Sequence, residues 1–139
     1  MFYDRLTRRL HLAIGGQEYL LSLNLGGLEE LESRSGKPIT SLASGDQMSL
    51  SMLVDAFWIG LRDGGNGKRF TRDEGKKLAS DFINESENGF ADLANVFMVL
   101  LAISGILGAA YRHDVLQKVG LEDKDGKPLE TTDNVEKNA

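Results

Sequence analysis

A chain of 139 residues has the length of one domain, enough to bury a core without covalent staples. Its net charge of −5 at pH 7 and pI near 5.0 give a field that repels phosphate backbones, so nucleic acid is not expected as a partner. The lack of cysteine excludes a disulfide framework and a thiolate metal site and fits a reducing cytosol. Met1 to Asp4 has no basic region leading into an apolar run, so secretion is not expected either.

The one basic cluster, Arg5, Arg8 and Arg9, is interleaved with leucines at strand-like spacing and reads as a solvated face. From Arg8 to Ile14 the residues alternate, with Leu10, Leu12 and Ile14 on one side and Arg9, His11 and Ala13 on the other. Gly15-Gly16-Gln17 supplies a turn, and Glu18 to Leu23 a second strand with Tyr19, Leu21 and Leu23 facing alike. An isolated hairpin is marginal in water. Its apolar face must therefore lie on helices, or its edge must pair with another subunit.

Asn24 is a suitable N-cap for a short helix through Leu25-Gly26-Gly27-Leu28-Glu29-Glu30-Leu31-Glu32, with Leu28 and Leu31 inward and Gly36 and Pro38 as stops. Pro38 to Ala43 can add one more helical turn. Ser49 caps the cleanest amphipathic pattern in the chain, in which Leu50, Leu53, Val54, Phe57, Trp58 and Leu61 recur at three- and four-residue steps. Arg62 to Gly67 is a loop. Thr71-Arg72-Asp73-Glu74 is a capping box, opening a helix whose buried stripe is Leu78, Ala79, Phe82 and Ile83. Asn84 to Gly89 breaks it.

Between Asp92 and Arg112 there is no charge, and Val96 to Ala110 is apolar or small on every side. Such a helix must be surrounded. The uncharged part falls short of the roughly 20 residues a bilayer span needs, and Asn95, Gly105 and Gly108 interrupt it, so no membrane is expected. The expected fold is mainly α: an N-terminal β-hairpin packed on a bundle of about four to five helices around a central apolar helix, 90–117. Residues 1–120 form a single helical domain on this reading. Residues 121–139 form an acidic tail too poor in apolar residues to fold.

Three fragments imitate chemistry without completing it. Gly64 to Lys68 evokes a phosphate loop, but Arg62 stands where its first glycine belongs and Arg69 where its hydroxyl belongs. Aligning Asp123-Lys124-Asp125-Gly126 to a calcium loop puts Leu121 first and Thr132 last, where oxygen-rich ligands are required. His11 and His113 are distant in sequence and join no nucleophile or metal set. No catalytic, cofactor-binding or metal-binding residue is assigned, and no enzyme is expected.

Two blocks carry a resemblance. One is Gly15-Gly16, Leu21-Ser22-Leu23, then Leu25-Gly26-Gly27-Leu28-Glu29-Glu30-Leu31-Glu32 and Gly36; the other is Gly60-Leu61-Arg62-Asp63-Gly64-Gly65 followed by Thr71-Arg72-Asp73-Glu74. Their order resembles the tail assembly chaperones of long-tailed phages and gene transfer agents, over roughly Leu10 to Ala110. In that family an alanine is expected where Gly27 stands, and Asp63 interrupts an arginine-glycine run.

The resemblance implies a non-enzymatic protein of the host cytoplasm. It would bind the tape measure protein, recruit the tail tube protein, and leave before the virion is complete. The alternative is a structural head-to-tail connector or tail completion protein. Partner-binding candidates are Leu10, Leu12 and Ile14 on the hairpin, Trp58, and the small-residue stripe Ala102, Gly105 and Ala109; whether the chain forms a homo-oligomer is open.

Overall fold

The computed structural model describes residues 1–45 and 48–129. Three strands, β1 (Phe2–Asp4), β2 (Arg9–Ile14) and β3 (Gln17–Leu21), precede six helices: α1 (Leu25–Ser35), α2 (Ile39–Ala43), α3 (Leu50–Asp63), α4 (Arg72–Glu85), α5 (Phe90–Ser104) and α6 (Gly108–Lys118). Helices predominate, as the hydrophobic periodicity implies.

The strands form one antiparallel sheet in the order β1-β2-β3, with Tyr3 opposite Leu10 and Leu12 opposite Tyr19. Leu10, Leu12 and Ile14 are all buried. The hairpin's apolar face thus lies on the helices, the first of the two options its alternation allowed. β1 is additional to the expected hairpin. Three residues are too few to show a period of two, and its placement depends on Tyr3 burying its ring in the core.

Caps fix the helix starts where the sequence placed them. Asn24 accepts the amide of Gly27, Ser49 accepts that of Met52, and Thr71 and Glu74 close a reciprocal box. Gly36 ends α1 in the left-handed conformation, its amide returning to the carbonyl of Glu32.

The expected helix 90–117 is two helices. α5 ends at Ser104, whose hydroxyl bonds the carbonyl of Leu101 at 2.6 Å, and Gly105 caps it with φ 82°. Gly108, at φ 87°, then opens α6 in a new direction. Two glycines three residues apart admit the left-handed backbone that turns the chain, and α6 packs back on α5. The continuous apolar run hid this break, because periodicity reports faces and is blind to turns made of small residues.

The centre of the fold is also elsewhere. Every residue from Met52 to Leu61 of α3 is buried, and α1, α4, α5 and β3 all pack on it. α5 is a second buried layer, with Val96, Phe97 and the run Val99 to Ile103 enclosed. Among the described residues no helix is long and apolar enough to cross a membrane.

Beyond Gly120, Leu121 and Glu122 are buried, and the amide of Leu129 returns to the carbonyl of Leu121 at 2.7 Å. His113 Nδ1 lies 2.7 Å from Glu122 Oε1, pinning this turn to α6. Of the acidic tail expected at 121–139, Leu121 and Glu122 are buried, while Lys124, Asp125 and residues 127–129 are exposed. Residues 130–139 lie outside the described residues.

Candidate assembly surfaces

The glycines at the end of α3 serve the sheet. Gly60 lies against Leu21 and Leu100, and its carbonyl receives the amide of Ser22 at 3.1 Å. At Gly64 a Cβ would overlap the carbonyl of Leu20 on β3. The loop that follows then carries Asn66 alongside β3. Its Oδ1 accepts the Leu20 amide and its Nδ2 donates to the Leu20 carbonyl, each at 2.7 Å, with a second donation to the Leu61 carbonyl at 3.0 Å. A side-chain amide thus stands where a neighbouring strand's peptide would. The β3 edge is sealed here.

The polar groups between α1, α3 and α4 form a connected set. Arg62 bonds Asp63 and reaches Glu30 at 2.8 Å, while Arg34 holds the other oxygen of Glu30 at 3.2 Å. Asp55, buried on α3, receives Arg72 at 2.7 Å. The guanidinium groups of Arg34 and Arg62 each lie over the Trp58 ring, at 4.8 and 5.1 Å from its centre, and the indole donates Nε1–H to the carbonyl of Phe70. Burial works to raise the pKa of Glu30, but the bonds from Arg62 and Arg34 outweigh it and hold the carboxyl below its ordinary value. The carboxylate of Asp63 in turn keeps Arg62 firmly protonated.

This packing explains Gly27. A Cβ there would come within 2.9 Å of Ile59 and 3.1 Å of Asp63. The helix persists through the glycine because Asn24 caps it, so the departure from alanine reflects close contact between α1 and α3.

The other edge of the sheet is built differently. β1 pairs with β2 alone among the described strands. The β1–β2 turn projects Leu6, which is 96% exposed, between the exposed Arg5 and Arg8. The carboxylate of Asp4 accepts the amides of Leu6 and Thr7 and stiffens the turn. Its pKa is lowered, first by the Thr7 hydroxyl and then by those amides. Arg8 takes a positive φ of 56°, and a Cβ on Gly105 would lie 3.6 Å from its guanidinium, which places that charge by the C-terminal end of α5. Among the described residues Arg5, Arg8 and Arg9 enter no ion pair. Ile106, 47% exposed, lies at the same end.

At the opposite end the β2–β3 turn meets the last turn of α4, where the Gly15 amide donates to both oxygens of Glu85 at 3.0 and 2.8 Å. Glu87 is exposed there, Asp92 accepts the amide of Asn88, and Phe90 is 46% exposed. No lysine or arginine occurs from Leu78 to Tyr111, so nothing in this stretch offsets those acids.

The sequence-derived partner residues separate on this map. Leu10, Leu12, Ile14, Trp58 and Ala102 are buried in the chain's own core. Gly105 ends a helix and Ala109 is exposed on the next, so the two do not continue one stripe. Leu6 and Asn66 stand outside the residues that the sequence singles out. The available signals were Asp4-Arg5-Leu6-Thr7, a turn with an Asp at its first position, and the asparagine between glycines at 65 and 67. Among the described residues no group of three His, Asp or Glu side chains is gathered to hold a metal ion.

Comparison with known proteins identifies one relationship. The model of a family described as phage tail tube protein, GTA-gp10, matches residues 8–103, from β2 through all but the last residue of α5. No curated protein and no solved structure gives a match. The family match supports a tail protein of gene transfer agent type and corrects two expectations drawn from the chaperone resemblance. The matching family is one of tail tube subunits, so the role of binding the tape measure protein and recruiting tube subunits falls. Departure from the particle before completion falls with it, because a tube subunit is a retained component.

Proposed function

The chain belongs to the phage tail tube protein, GTA-gp10, family, and from that premise we propose that it is a structural subunit of a phage-type tail, retained in the finished particle and acting by contact between copies without catalysis. The observation that carries this reading is the family match over residues 8–103, which includes the closed β3 edge and the acidic end of the sheet at Glu85.

Two physical features support it. The polar side chains drawn into the interior have structural tasks: Asp55 joins α3 to α4 through Arg72, Trp58 holds the segment before α4 through Phe70, and Asn66 seals β3. Leu6 and Phe90, by contrast, are apolar groups left in solvent beside exposed charges, a pattern suited to repeated protein contacts.

Antibody raised against the chain, applied with gold label to purified particles, tests the reading under the electron microscope. Label is expected along the tails, and a gene deletion is expected to yield particles without them. Unlabelled, complete tails in the deletion strain would overturn the assignment.

A further inference from the structure

The two ends of the sheet carry opposite charge. β2 spans six residues, about 20 Å at the rise of a strand, and α5 beside it spans fifteen, about 22 Å at the rise of a helix. Both run from one end of the molecule to the other, so Arg5, Leu6 and Arg8 are separated from Glu85, Glu87 and Phe90 by roughly that length. At the first end an exposed leucine stands between arginines without ion-pair partners, with Ile106 nearby. The other end presents a half-exposed phenylalanine among carboxylates with no cation from Leu78 to Tyr111. The acid at the cationic end, Asp4, is turned inward to the amides of its own turn.

We propose that copies of this chain associate head to tail, with the cationic tip of one, Leu6 between Arg5 and Arg8, seated on the acidic end of the next around Phe90 and Glu87. The occupant is a second copy because each end supplies the charge the other lacks, and like ends repel. Since the two patches are different surfaces at opposite ends, the contact is heterologous. It generates a ring where the rotation closes and a filament where it does not, in contrast to a two-fold dimer. The inference rests on the reading of the chain as a repeating tail subunit and adds which surfaces meet.

Charge reversal at either end tests it, with sedimentation velocity of the full chain over a concentration series. Wild-type protein is expected to grow beyond a dimer at low salt and to dissociate as salt shortens the Debye length from about 30 Å to 3 Å. Arg5→Glu with Arg8→Glu makes both ends acidic, and Glu85→Lys with Glu87→Lys makes both cationic, so each double variant alone is expected to weaken association about tenfold or more. Mixing the two variants is expected to restore growth beyond a dimer, because the reversed tip of one fits the reversed end of the other. Circular dichroism checks that both variants keep their fold, and a variant that has lost it is replaced by Leu6→Asp or Phe90→Asp.

Variants that assemble like wild type, a mixture that stays dissociated or stops at a heterodimer, or wild type that is monomeric throughout would each overturn the proposal. Failure here with the chain still found along the tails removes the head-to-tail contact alone. Absence from the tails removes the functional reading, whatever sedimentation shows.

Discussion

The two edges of the sheet have been treated in opposite ways. At β3 the chain has committed a glycine, an asparagine and the end of its central helix to closing the edge, and Leu20 has no main-chain group left to offer. At β1 the outer side is left to three residues and a turn that places a leucine in solvent. Exposed strand edges invite pairing with other chains, and proteins usually block them. Blocking one edge and leaving the other separates two tasks: β3 residues hold the fold together, while residues of the β1 turn are released from that duty and are free to meet a partner.

If that separation is right, substitutions at the closed edge cost folding and those at the open edge do not. The largest effect is expected at Gly64→Ala, whose Cβ would overlap the Leu20 carbonyl and force α3 away from β3. A loss of about 3 kcal/mol in urea unfolding is expected. Asn66→Ala comes next. It leaves the Leu20 amide and carbonyl and the Leu61 carbonyl without their partner, and about 2 kcal/mol should be lost.

A smaller effect comes from Glu30, which steadies Arg62 at the start of the closing loop. Its folded pKa is depressed below the ordinary value of 4.5, so its stabilisation is present above that value and is lost as pH falls through the lower folded value. The Glu30→Gln variant should therefore melt earlier than wild type at neutral pH, by under about 1 kcal/mol, and the two should converge in acid. The smallest effect is expected at the open edge, where Leu6→Lys should change urea stability by less than about 0.5 kcal/mol. A loss there as large as at Asn66 would erase the contrast.

The closed edge also shows where sequence reasoning reaches and where it stops. Caps and buried faces were readable because they depend on local spacing: Asn24, Ser49 and Thr71 each precede the run they cap, and Leu10, Leu12 and Ile14 alternate. The glycine motif at 60–65 was readable as a pattern, but its purpose was not, since it consists of an overlap with Leu20 some forty residues earlier in the chain. The turn at Gly105 was masked by an unbroken run of small and apolar residues. Surface residues were the least legible. Hydrophobicity singles out Leu10, Trp58 and Ala102, which are buried, whereas Leu6, exposed at 96%, belongs to a short turn with no periodicity of its own.

Quantitative mass spectrometry of purified particles, with the cell lysate in parallel, tests the assignment most directly. A repeating tail subunit should be recovered in many copies per particle, in constant ratio to the other tail proteins. A chain abundant in the lysate and missing from the particles would contradict it.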